Sequence, residues 1–171
     1  MLNSFFIAGF PGTTRVPRNG RRIEQTELCG HQRFYAQDYA RAKKLGLLVA
    51  RESAQWSAIE RIAGQYDFSF VRRRIHSARA QGVQLIWTLL DGGWPADVDI
   101  MRPMFVQRFA TYARAFARLL RDQEVKNPIV VPIRDAEIAT LRLAQSALPS
   151  EASSPSCRYH FSVKPLSGKT V

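Results

Sequence analysis

Charged residues stand directly after three apolar, strand-like runs of the chain: Arg51-Glu52, then Asp91, then Arg134-Asp135. In parallel α/β sheets, functional sites form beyond the carboxyl ends of the strands, so these are the positions where chemistry is expected. A carboxylate there can act as a general acid, a base or a nucleophile. A guanidinium can hold a carboxylate or phosphate through its planar fork. Every βα loop is polar, however, and helix starts favour Asp, so each residue taken singly also reads as an ordinary loop or cap. Three neighbouring strand ends charged on one rim favour the functional reading. Trp56, Trp87 and Trp94 lie close to the second and third of these runs. A flat indole near a polar rim suits the apolar face of a pyranose, while core packing is the commoner role of so large a residue.

Other chemistries find no support. Cys29 and Cys157 are far apart with no CxxC partner, and His31, His76 and His160 are too isolated to form a ligand cluster. Neither a disulfide framework nor a metal site follows. Gly9-Phe10-Pro11-Gly12 lacks the Lys-Ser/Thr of a phosphate loop, and Gly168-Lys169-Thr170 has Val163 where the first glycine belongs. No Gly-x-Ser-x-Gly elbow occurs. Neither a metal nor a cofactor is expected.

With 171 residues, 46% of them hydrophobic and 23% charged, the chain reads as a soluble globular protein of one domain. A full (β/α)₈ barrel typically needs about 250 residues and rarely fewer than about 200, so a complete one is not expected. The net charge of +11 raises the question of nucleic acid. The arginines are scattered, from Arg15 and Arg22 through Arg72, Arg73 and Arg74 to Arg121, rather than gathered on one reading helix. Nucleic acid is therefore not the expected partner. A signal sequence and a spanning run of about 20 apolar residues are both lacking, which predicts a cytoplasmic chain without membrane attachment.

The elements that must position the rim recur about every 40 residues. Strands are predicted at Phe5–Phe10, Leu47–Ala50, Val83–Leu90 and Pro128–Val131, each a short run suited to burial on both faces. Helices are predicted at Gln32–Leu45, stopping at Gly46, and at Phe70–Gln81, stopping at Gly82. The second carries Val71, Ile75 and Ala78 on one stripe and assigns Arg72, Arg73, Arg74 and Arg79 to a solvated face. A third, Pro103–Arg121, aligns Phe105, Phe109, Tyr112, Phe116 and Leu119, and a fourth is read at Ala136–Ala147. Alternating strands and helices predict α/β architecture: about four parallel βα units over residues 1–147, forming a partial (β/α) barrel. The Ser- and Pro-containing residues 148–171 are expected to be a loosely ordered, irregular tail.

Several motifs then fall in a telling order: Gly20-Arg21-Arg22-Ile23, Gly30-His31, Asp38-Tyr39, Leu45-Gly46, Val49-Ala50-Arg51-Glu52-Ser53 with Trp56, and Gly64-Gln65-Tyr66-Asp67-Phe68-Ser69. After them come Gly82-Val83-Gln84-Leu85-Ile86-Trp87, Gly92-Gly93-Trp94-Pro95 and Phe105–Ala117. Over about residues 3–123 this resembles the amino-terminal half of family-1-like β-glycosidases, the clan A glycoside hydrolases built on a (β/α)₈ barrel. The resemblance implies a retaining mechanism with two glutamates, an acid/base after strand four and a nucleophile after strand seven, about 5–5.5 Å apart. It implies that Arg51 orients the nucleophile, that Trp56, Asp91 and Trp94 line the sugar site, and that Asp135 stands at the acid/base position. A carbohydrate, a β-glycoside, is the implied partner.

The chain departs from that pattern at defined points. Asp91 stands where the family shows a sugar-binding histidine, and Arg134-Asp135 where it shows Asn-Glu. Asp135 is one methylene shorter than glutamate, and a displacement of about 1 Å can lower a rate about 10²-fold. After Ile133 the resemblance ends, so no residue takes the nucleophile's place. The expectation is a glycosidase-like half barrel, truncated or frameshifted after about residue 133 and inactive as it stands. Open sheet edges in such a half barrel favour self-association. The alternative is a small basic α/β module that binds anions or nucleic acid.

Overall fold

The computed structural model describes residues 2–10, 12, 14–15, 23–91 and 93–134. The fourth predicted helix, Asp135 and the predicted tail lie outside these residues. Among the described residues, six strands and five helices follow one another in chain order. β1 (Ile7–Phe10) leads to a small antiparallel ribbon of β2 (Thr14–Arg15) and β3 (Ile23–Glu24), then to α1 (Gln25–Leu28) and α2 (His31–Lys44). β4 (Val49–Ser53), the short α3 (Trp56–Ile59), α4 (Ser69–Gln81), β5 (Gln84–Leu90), α5 (Met104–Asp122) and β6 (Ile129–Ile133) complete the order.

The four main strands form one open parallel sheet in the order β1-β4-β5-β6. This is the α/β, partial-barrel architecture expected from the alternating pattern. Register sorts the side chains: Ala8, Ala50 and Leu85 share one face, and Gly9, Arg51 and Ile86 the other. The first face packs under the helices. Ala50 joins buried Tyr39, Ala78 and Val83, with Phe10 and Leu85 against them. Further along, Trp87 and Leu89 meet Phe116 and Leu119 of α5 in an aromatic core that includes Trp56, Phe68 and Tyr112. The predicted α5 stripe is the face that packs: Trp56 stacks on Tyr112 at 5.1 Å and Trp87 meets Phe116 edge-on at 5.5 Å.

Helices α2 and α4 stop where glycine was expected to stop them. Gly46 and Gly82 adopt the left-handed conformation (φ 77° and 70°). Leu47 and Val83 donate their N–H groups back to Ala42 and Ala78, closing Schellman turns. Two sequence assignments change. β4 runs to Ser53 instead of ending at Ala50, so Glu52 is a strand residue that faces the helices, not a rim residue. Arg74, assigned to the solvated face of α4, is 1% exposed because it reaches Glu52 across the interface.

Those two residues belong to a buried polar cluster. Glu52 accepts from Arg74 Nη1 at 2.9 Å and from the Tyr39 hydroxyl at 2.5 Å, and its Oε1 lies 2.8 Å from His31 Nε2. His31 Nδ1 in turn lies 2.8 Å from Asp38 Oδ2. Burial first, and then the Glu52 carboxylate, push the Tyr39 hydroxyl far above its ordinary range, which keeps it a donor. The cluster fastens α2 and α4 to the middle of the sheet.

Candidate functional site at the carboxyl rim

On the face away from the helices, register places Gly9, Arg51 and Ile86 in one row and Ser53, Thr88 and Val131 in the next, toward the carboxyl ends. Arg51 is half-buried, and no described residue pairs with it. Its guanidinium is thus the cation that β4 presents on the inner face. Thr88 is buried with an unpartnered Oγ1, the other unassigned polar group of that face.

Asp91 follows β5 directly and is 7% exposed. Its Oδ2 accepts the Gly12 N–H at 3.2 Å, and Oδ1 lies 3.3 Å from Arg134 Nη1. Gly12 reaches it because its backbone lies flat against β4: a Cβ at residue 12 would sit 2.3 Å from that of Ser53. Arg134 donates its own N–H to Leu90 O, which extends the β5–β6 pairing past the strand end. Asp91 therefore joins the ends of β1, β5 and β6. Each carboxylate oxygen has one contact with the chain, so Asp91 holds the rim together at the position the sequence reading assigned to a sugar ligand.

Trp56 is corrected more sharply. It is 0% exposed, lies between Phe109 and Tyr112, and donates Nε1–H to Glu60 at 2.6 Å. No face of its ring is open to a sugar. Trp94 differs: it is half-buried, packed against the aromatic core, and sits in the loop that leaves Asp91. That loop is pinned at its start by Asp91 and again at its middle by Asp97, which takes a fork from Arg108 of α5. The Arg108 hydrogen bond draws the Asp97 carboxyl below its usual range, and Asp97 raises the guanidinium in return. Arg108 also reaches buried Glu60 at 2.9 Å, so Trp56, Glu60, Arg108 and Asp97 form one chain of contacts. Sequence reading missed Glu60 and Arg108. The signal for Glu60 was its spacing of four from Trp56 on one helical turn.

Among the described residues, no group of three or more His, Cys, Asp or Glu side chains could hold a metal ion, and no helix is long and apolar enough to cross a membrane. A cavity of about 600 Å³ opens at the other end of the sheet, between Arg79, Val83, Trp87 and the turn Glu124–Asn127. It lies at the amino ends of the strands, where parallel sheets do not place their chemistry.

No protein-family model matches the chain, and neither does any curated protein. Solved structures do. A family 1 β-glucosidase from Thermotoga maritima superposes with a TM-score of 0.60 at 20% identity, covering 67% of this chain and 27% of that one. The AHE enzyme from Alicyclobacillus herbarius matches with a TM-score of 0.59 at 22% identity, over 67% and 26%. A β-glycosidase from Pyrococcus horikoshii matches at 0.54 and 21%, over 66% and 27%. The chain spans about a quarter of the length of each. What these similarities show is the fold: a fragment of a TIM-barrel-like glycosidase architecture.

Proposed function

We propose that the chain is the front portion of a β-glycosidase-type barrel whose carboxyl rim faces carbohydrate. The observation that carries this reading is Arg51, a cation on the inner face of the second parallel strand of a sheet that superposes on glycosidase barrels. In a whole barrel a guanidinium there would hold the carboxylate that attacks the sugar. Trp94, half-buried on the loop after Asp91, is the indole of that rim that we assign to the sugar.

By itself the chain does not hydrolyse glycosides. Retention requires two carboxyl groups about 5–5.5 Å apart across the substrate. Among the described residues, the carboxylate at the rim is Asp91, and its oxygens are taken by Gly12 and Arg134. Glu52 points the other way, into the helix layer. We read the loss of family resemblance after Ile133 as a shifted reading frame. Translating the alternative frames of the gene beyond that codon tests it, and a frame with no glycosidase-like continuation would remove its support. The two outer strands carry exposed Ile7 and Ile133, at 45% and 40%, and pairing of copies along these edges is the expected solution behaviour.

The direct test is turnover of aryl β-glycosides by the purified chain, together with glucose or cellobiose titrations followed by tryptophan fluorescence. The expected result is no turnover, with a sugar-dependent fluorescence change that Trp94→Ala removes. Hydrolysis abolished by Arg51→Ala would show instead that copies complete a working barrel.

A second reading rests on charge. The neighbouring helices α2 and α4 expose Arg33, Arg41, Lys44, Arg72, Arg73 and Arg79, while their acidic residue, Asp38, is engaged by His31 and Arg41. A basic module binding anionic polymers would lose affinity steeply with salt, whereas sugar binding at the rim would barely respond.

A further inference from the structure

The space between α4 and α5 is filled unevenly. Near the rim, Phe68 at the start of α4 meets Phe116 of α5 edge-on, the ring centroids 5.9 Å apart. Toward the amino ends of the strands α4 offers Ala78 and Arg79 instead, and the space stays open as the cavity of about 600 Å³. That volume lies within the range of about 300–1,000 Å³ typical of small-molecule sites. Ile75, Val83, Leu85, Trp87 and Val125 give the cavity apolar walls. Its charged groups are two exposed cations, Arg79 on the last turn of α4 and Lys126 in the turn before β6, and one carboxylate, Glu124. The Arg79 guanidinium donates through Nη2 to the Gln123 carbonyl, which ties it to that turn and leaves most of its N–H donors unengaged. Asn3, whose N–H donates to Gln84 Oε1 at 3.0 Å, borders the cavity from the amino-terminal segment.

We propose that this cavity binds a small amphipathic carboxylate, its apolar body against the walls and its carboxylate at Arg79 and Lys126. Each part of the ligand answers a part of the lining. An apolar body removes the walls from water, which is the main driving force such a site offers. The guanidinium fork matches the two oxygens of a carboxylate, and the lysine adds a second positive charge. Two cations against Glu124 leave one net positive charge in the lining, which suits a monoanion. The site stands at the opposite end of the strands from Arg51 and Trp94, so it is independent of the sugar reading. It is a binding site and performs no chemistry, in keeping with its place at the amino ends of a parallel sheet.

Octanoate is the probe, and octanol is its uncharged counterpart. Titrating octanoate into the nitrogen-labelled full chain, followed by amide NMR, is expected to give saturable shifts at Val83, Leu85, Val125 and Lys126. Arg79→Gln and Lys126→Gln should each weaken octanoate about threefold, as the loss of an exposed ion pair does, and Glu124→Gln should strengthen it by a similar factor. None of the three should change the affinity for octanol. Val125→Phe, which places a ring in the cavity, should remove the binding of both molecules. Should Val125→Phe fail to fold, the three exposed charge variants decide, since they leave the core intact. Shifts that do not saturate, or that centre on other residues, would overturn the site. Charge variants that move octanoate and octanol alike would overturn the carboxylate as its ligand.

Discussion

Arg51 and Glu52 are consecutive residues of one strand, yet they occupy opposite environments. Glu52 points into the helix layer, is 1% exposed and is contacted by His31, Tyr39 and Arg74. Arg51 points to the inner face, is half-buried and has no described partner. The strand's two-residue alternation puts one charge among the helices and the next on the opposite face of the sheet. The tryptophans differ as well: Trp56 is fully buried in the core, whereas Trp94 is half-buried on the loop after Asp91.

The largest effect should separate the neighbouring charges. Glu52→Ala strands the Arg74 charge in a buried site, and removing one partner of a buried pair typically costs about 3–5 kcal/mol. The expected outcome is loss of cooperative unfolding, or a urea midpoint lowered by most of the protein's stability. Arg51→Ala, one residue away, should leave stability within about 0.5 kcal/mol of wild type. If the two substitutions cost the same, the assignment of the faces is wrong.

The tryptophans sharpen the comparison at smaller scale. Trp56→Ala empties the contact with Tyr112 and Phe109 and leaves Glu60 without its indole donor, so a loss of about 3–5 kcal/mol is expected. Trp94→Ala should cost roughly 1 kcal/mol, while removing the sugar-dependent fluorescence change. Thermal melts and titrations of the two variants, side by side, distinguish a core role from a rim role.

Much of this division was legible in the sequence, and the part that was not has a physical cause. Apolar runs placed all four parallel strands, and the aromatic stripe from Phe105 to Leu119 placed α5, because burial selects for those patterns directly. Arg74 and Glu52 escaped because pattern reading assigns charge to solvent. Their burial depends on a partner 22 residues away, and that pairing leaves no local trace. The apolar pattern stops three residues short of the end of β4 for the same reason, since Arg51-Glu52-Ser53 breaks the run that marks a strand. His31 looked isolated in the sequence and lies in the midst of the cluster. Trp56 shows a different limit: residue type suggests a sugar platform as readily as a core ring, and only packing decides.

The smallest predicted effect concerns helix ends, where the backbone repeats one motif with different residues. Like α2 and α4, α5 closes with a six-residue turn, here from the Val125 N–H to Leu120 O. The residue in the left-handed position is Gly46 or Gly82 in the first two helices and Glu124, at φ 50°, in the third. A side chain in that conformation carries a backbone penalty of about 1 kcal/mol that glycine avoids. Glu124→Gly should therefore stabilise the chain by about 0.5–1 kcal/mol, partly offset by the greater freedom of the unfolded glycine. Gly82→Ala should do the reverse. No atom lies within 4 Å of the Cβ it would add, so its cost is one of conformation and not of space. Urea midpoints for this reciprocal pair isolate the backbone term from packing. Equal and opposite shifts would show that the turn at the foot of β6 is set by dihedral preference alone, while a destabilised Glu124→Gly would mean that the glutamate side chain itself anchors that end of the sheet.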